Sequence, residues 1–191
     1  MKTTLLFLAL LLVSYSVTAQ EQPPSFGPIK LGQKKTEQEK EFNKMKGVKF
    51  LRYDTTAAGV IATYTGGKFL GERVEQWFVS YDSSETVERG LIDFVEPSWK
   101  SAATSFERLW NQMDKKYIFL GGIRLSEFRR EQGVTMNQIH DMLIEKAAND
   151  EDNVFFGTWF SDTEEPMLAK MELDHQYLWI KITSISDAAN E

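Results

Sequence analysis

Cysteine is absent from all 191 residues, and its absence excludes several chemistries at once. No disulfide can staple the fold, so core packing must carry the stability. No zinc site with thiolate ligands can be assembled. A bacterial lipoprotein needs a cysteine at its first mature position, where Gln20 stands instead. Histidine is nearly as scarce: two residues, His140 and His175, cannot build a three-histidine metal centre. N-x-[ST] sequons are also missing, which with the lack of disulfides points to a bacterial rather than a eukaryotic exported protein.

Other absences narrow the field further. There is no G-x-x-x-x-G-K-[ST] phosphate loop, no G-x-G-x-x-G turn and no H-E-x-x-H helix. G-x-S-x-G and S-x-x-K nucleophile motifs are missing as well. No cofactor and no metal is therefore expected. Positive charge is in deficit: the chain carries a formal net charge of −6. An acidic surface repels phosphate backbones, so nucleic acid is not an expected partner.

What is present begins at the N-terminus. Lys2 precedes an unbroken apolar run from Leu5 to Val13, and Val17-Thr18-Ala19 places small residues at −3 and −1 of a cleavage site. This is the pattern of a secretory signal peptide, residues 1–19, cut before Gln20. Nine apolar residues as a helix reach about 13 Å, against about 30 Å of hydrocarbon core, so the run is a poor membrane anchor. No later segment approaches the roughly eighteen apolar residues of a spanning helix, so no membrane span is expected after signal removal. All 28 acidic residues lie beyond residue 19 and only Lys2 of the 22 basic ones precedes it, giving the remainder a formal charge of −7. The expected location is periplasmic or secreted.

Residues 20–35, with Pro23, Pro24, Gly27, Pro28 and Gly32, read as a flexible lead-in. Residues 36–187 read as one globular domain, long enough to bury about 70% of its unfolded surface. Thr36 and Glu39 form a capping box that opens a short, charged surface helix to about Lys46. Period-2 patterns follow at Val48–Tyr53, Val60–Thr65, Arg73–Tyr81 and Thr86–Val95, which predicts an antiparallel meander. Ser98 caps the clearest helix, whose stripe of Trp99, Ala102, Ala103, Phe106, Leu109, Trp110 and Met113 must lie against the sheet. A short strand at Lys116–Leu120, a helical stretch at Leu125–Gln132 and a helix opened by the Thr135/Gln138 capping box come next. The chain closes with a nearly continuous apolar strand at Val154–Phe160, read as central or buried on both faces, and a hairpin of Met167–Leu173 and Tyr177–Ile185. The predicted class is α+β: a mostly antiparallel twisted sheet of about seven strands, with two amphipathic helices packed on it. No sequence repeat is defensible, although both halves pair strands with a helix.

Four stretches invite a functional reading. Leu125–Ala148 scans like a helix-turn-helix with Gly133 at the turn, but export and acidic charge argue against DNA, leaving two helices with a glycine cap. Asp150–Asn153 is dense in oxygen ligands, yet Phe155 and Ser161 stand where a calcium loop needs Gly and Glu, so a solvated turn is the reading. His140 sits at the edge of an apolar stripe, where a half-buried histidine satisfied by a backbone or carboxylate partner is expected. His175 sits beside Asp174 in a hairpin tip.

The fourth is an aromatic face. In the last strand Tyr177, Trp179, Lys181 and Thr183 point away from Leu178, Ile180 and Ile182, and Trp77 with Tyr81 forms a similar set on an earlier strand. Exposed rings beside polar groups suit an apolar, sugar or protein ligand. The competing reading makes these rings core. The expected function is that of an exported, noncatalytic bacterial envelope protein, binding a ligand or an envelope partner through Tyr177, Trp179, Trp77 and Tyr81. The alternative is a small secreted hydrolase with paired carboxylates drawn from Glu96, Asp162, Glu164 and Glu165.

Overall fold

Gly47 separates a helix from the first run of period-2 residues, and the computed structural model places both elements there. The structure describes residues 25–185 apart from 58, 150, 153, 162–166 and 176. The expected signal peptide, the start of the lead-in, the two ends of the 150–153 loop, Gln176 and the last two residues of the expected domain lie outside the described residues.

Helix α1 is Lys35–Lys44. Strands β1 (Val48–Thr56), β2 (Gly59–Gly66), β3 (Lys68–Phe69), β4 (Glu72–Tyr81) and β5 (Val87–Phe94) follow. Helix α2 is Trp99–Lys116, strand β6 is Ile118–Gly122, and helices α3 (Leu125–Gln132) and α4 (Met136–Ala148) come after it. Strands β7 (Phe155–Ser161), β8 (Met167–Leu173) and β9 (Leu178–Ser184) complete the order. The class is α+β, with nine strands and four helices among the described residues where about seven and two were expected. The extra strand β3 is a two-residue partner of β4, too short to leave an alternating pattern.

Eight strands lie in the order β1-β2-β4-β5-β9-β8-β7-β6, and every neighbouring pair is antiparallel. This order exposes a repeat that residue identity hides. Each half of the chain is a helix followed by four principal strands in meander order, and the halves meet last strand to last strand at β5–β9. An antiparallel join of equivalent strands corresponds to an approximate two-fold axis normal to the sheet, which keeps both helices on one face. The aromatic packing repeats as well. Phe50 is opposite Tyr64 in the first half and Phe119 opposite Trp159 in the second. Phe42 of α1 stacks on Tyr64 at 4.0 Å, and Trp110 of α2 meets Trp159 edge-on at 4.9 Å. The first strand of each half carries a register shift at the same place, Phe50-Leu51 and Phe119-Leu120.

All four helices stack on one face of the sheet. Helix α1 reaches it through Phe42, against Tyr64 and Trp77, and α2 through Trp110 against Trp159. Helix α3 reaches it through Phe128 against Phe155, and α4 leans on α2 where His140 stacks on Trp99. Close approach of α2 depends on Gly157: a Cβ there would stand 2.3 Å from Trp159 Cη2 and 2.7 Å from Trp110 Cζ3. Two expected caps are present. Ser98 Oγ accepts from Ser101 N, and the Thr135/Gln138 box is closed from both sides. The pair α3–α4, joined at left-handed Gly133, is the helix–glycine–helix that the sequence suggested.

Several expectations are corrected. The Thr36/Glu39 capping box does not form: Lys34 occupies the N-cap, and Glu39 accepts instead from the Tyr53 hydroxyl. β7 is not central; it lies next to edge strand β6, and its residues alternate between buried and half-buried. The lead-in differs most. From Ser25 onward it is packed, with Phe26 and Ile29 both 0% exposed. Buried Gln38 of α1 clamps it, donating to Pro28 O at 2.6 Å and accepting from Lys30 N at 3.0 Å. Gly32 N donates to Val87 O and Val87 N to Gln33 O, tying it to β5. Ile29 settles over Gly90, where a Cβ would stand 2.8 Å from Ile29 Cδ1. Gly90 pairs with Ile182 across β5–β9, so this segment plugs the seam between the two halves on the helix side.

Candidate functional site

With the described helices, and the packed segment from Ser25 to Lys34, on one side, the other side of the sheet carries no described helix and is, among the described residues, an open face whose composition follows from register. Its first row runs Thr63, Phe78, Leu91, Lys181, Lys170, Thr158 across β2, β4, β5, β9, β8 and β7. The adjacent row runs Thr65, Gln76, Asp93, Trp179, Glu172, Phe156 across the same strands. Leu168 and Phe160, paired on β8 and β7, extend the face on its other side. Most of these side chains are half-buried, and Thr63 is 0% exposed, although the helices pack elsewhere. The side chains therefore shelter one another on a sheet of mixed chemistry.

The four aromatic residues singled out from sequence divide between the two faces. Trp179 stands on the open face at the seam, opposite Asp93 of β5 and Glu172 of β8. Tyr177, two residues earlier, is 54% exposed, and its N–H closes the hairpin by donating to Asp174 Oδ1. Trp77 and Tyr81 are on the helix side and belong to the core, at 0% and 1% exposure. Phe42 and Phe69 pack edge-on against Trp77, whose indole N–H donates to Gly66 O. Burial also pushes the Tyr81 phenol up from its ordinary pKa. The ligand-binding role expected for Trp77 and Tyr81 is thus corrected to packing: the alternation was read properly, but α1 covers the face they share.

Sequence reasoning missed the partners of Trp179. Its indole N–H donates to Glu172 Oε2 at 3.1 Å, and Glu172 Oε1 takes the Lys170 ammonium at 3.0 Å. Lys170 Nζ in turn lies 5.3 Å from the Phe156 ring centre. One carboxylate thereby holds a tryptophan and a lysine in fixed relation, with the lysine beside a second ring. The signal was the alternation of β8, which puts Leu168, Lys170 and Glu172 on one side, but register was needed to bring them beside β9.

Asp93 is the polar group on the other flank of Trp179. Burial, then the nearby negative charge of Glu75 and Asp174, raises its pKa above the ordinary 3.8, against a lowering backbone hydrogen bond from Phe94. A carboxyl whose pKa is raised on folding binds its proton more tightly in the folded state. Its ionisation then opposes folding as pH rises through the raised value, and the penalty disappears below the unfolded value. Asp93→Asn is expected to melt higher than the parent at pH 7, with the difference closing as pH falls towards 3.8. Paired thermal melts across that range check this; a constant difference at every pH would show that charge is not the cause.

His140 stacks on Trp99 at 5.1 Å and 8° between planes, a ring partner rather than the backbone or carboxylate partner expected. His175 Nδ1 is 3.9 Å from Asp174 Oδ1 in the hairpin tip. Of the hydrolase carboxylates, Glu96 is half-buried between β5 and α2, while Asp162, Glu164 and Glu165 lie outside the described residues. Among the described residues no group of three or more His, Asp or Glu is placed to hold a metal ion. No described helix is long and apolar enough to cross a membrane.

The fold is α+β, and among the described residues one sheet face is covered by helices and the other is not. No protein-family model, no curated protein and no solved structure matches the chain.

Proposed function

We propose that this is an exported, noncatalytic binding protein of a bacterial envelope whose recognition surface is the open face of the sheet, centred on Trp179. The observation that carries this reading is the Trp179–Glu172–Lys170 arrangement beside Phe156, a set of rings and polar groups that no described helix covers. Half-buried aromatics with a few fixed polar neighbours are the usual make-up of a ligand surface. The N-terminal export pattern and the thiol-free, acidic composition support the envelope location.

The test uses 1-anilinonaphthalene-8-sulfonate as a generic reporter of such a surface. The folded protein is expected to bind the dye saturably, and Trp179→Ala to weaken it by at least about 2 kcal/mol, the size of a central interface residue. The same substitution should cost about 2–3 kcal/mol of stability, less than loss of a fully buried tryptophan, because one hydrogen bond and a half-buried ring are lost. Unchanged dye affinity in Trp179→Ala would overturn the assignment of this face.

A further inference from the structure

This inference rests on the open face being the recognition surface and names its ligand class. The row Gln76, Asp93, Trp179, Glu172, Phe156 sets hydrogen-bonding side chains directly beside each ring, one strand apart. A hydrocarbon laid along that row would strip water from Asp93 and Glu172 and return no hydrogen bond, which is unfavourable. A peptide adding as a strand needs free backbone N–H and C=O groups, and the middle of a sheet has already paired its own. A pyranose ring meets both requirements: its C–H face is apolar and its rim carries hydroxyls that donate and accept.

We propose that the open face binds a linear oligosaccharide across the strands, with sugar rings stacked on Trp179 and Phe156. Glu172, Asp93 and Gln76 take the hydroxyls, and Lys170 donates between the two rings. Trp179 and Phe156 are two strand spacings apart, about 10 Å, a distance suited to rings one disaccharide step apart. The platform is prepared in advance, since Glu172 fixes the Trp179 indole at 3.1 Å and Lys170 at 3.0 Å. Pre-set side chains lower the ordering cost of binding.

The experiment is calorimetric titration of the full chain with hexasaccharides of β-glucan, xylan, chitin, mannan and α-glucan. At least one is expected to bind with a Kd below about 1 mM. Trp179→Ala and Phe156→Ala should each weaken that binding about tenfold or more, Trp179→Tyr should retain most of it, and Glu172→Ala should weaken it by releasing the indole and Lys170. Thermal melts of the alanine variants confirm that they remain folded. If none of the five sugars binds while dye binding still depends on Trp179, the saccharide assignment falls and the open-face assignment stands. Should a sugar bind with equal affinity to parent, Trp179→Ala and Phe156→Ala, the ligand sits elsewhere and the proposal is overturned. Loss of both sugar binding and Trp179-dependent dye binding removes both readings.

Discussion

Trp110→Ala is expected to cost about 3–5 kcal/mol of folding stability, the range for removing a large buried aromatic. Trp110 joins the two layers of the second half. It packs against Phe106 of its own helix at 5.6 Å, Phe119 of β6 at 5.3 Å and Trp159 of β7 at 4.9 Å. Its neighbours cannot collapse into the gap, because Trp159 is held in place by its indole bond to Asp114 at 2.8 Å and by lying over Gly157. A rigid wall leaves a true cavity, which puts the cost in the upper part of that range. Urea melts read it directly, and a domain of this size should also lose roughly 10 °C of Tm. A loss below about 1 kcal/mol would mean that α2 does not hold the second half together.

Phe26→Ala should lose a comparable amount, about 3–5 kcal/mol. Phe26 lies 4.3 Å from Tyr117 between ring centres, and the Tyr117 hydroxyl donates to Ser25 O at 3.0 Å. Were residues 25–34 a loose leader, the change would fall within about 0.5 kcal/mol, as at ordinary surface sites. The two outcomes are far apart, so a single urea melt decides between them.

Why that segment misled is instructive. Its prolines and glycines lower local helix and strand preference, and composition alone then reads as disorder. What holds it lies outside it: Gln38 is eight and ten residues from its partners, and Val87, Gly90 and Tyr117 are far more distant in sequence from the residues they fix. The elements that were legible are those whose signals are local. The α2 stripe, the Ser98 and Thr135 caps and the β8 boundaries follow from spacing alone. Even caps depend on context, since Thr36 and Glu39 have the right spacing, yet the N-cap falls to Lys34, whose ammonium reaches across to Ser84 O and Thr86 Oγ1.

The site was half legible for a related reason. Alternation assigns Trp77 with Tyr81, and Tyr177 with Trp179, to one side of their own strands, but it does not say which side a helix will cover. A register shift near Glu75 complicates the reading further, placing Val74 on the same side as Trp77. The internal repeat escaped because aromatic volume is retained while identity changes: Phe42 and Tyr64 answer to Trp110 and Trp159. Only the Phe-Leu pair of each leading strand leaves a literal trace, at Phe50-Leu51 and Phe119-Leu120.

The plug over the β5–β9 seam also sets an order of events. Residues 25–34 leave the ribosome before any surface they rest on, because Val87, Gly90, Tyr117 and Ile182 are all translated later. Their berth lies on α1, on Val87 and Gly90 of β5 and on Tyr117, and Gly90 pairs with Ile182 of β9, near the end of the chain. An early-made segment is thereby held in place by residues made later, and it lies against the strand at which the two halves join.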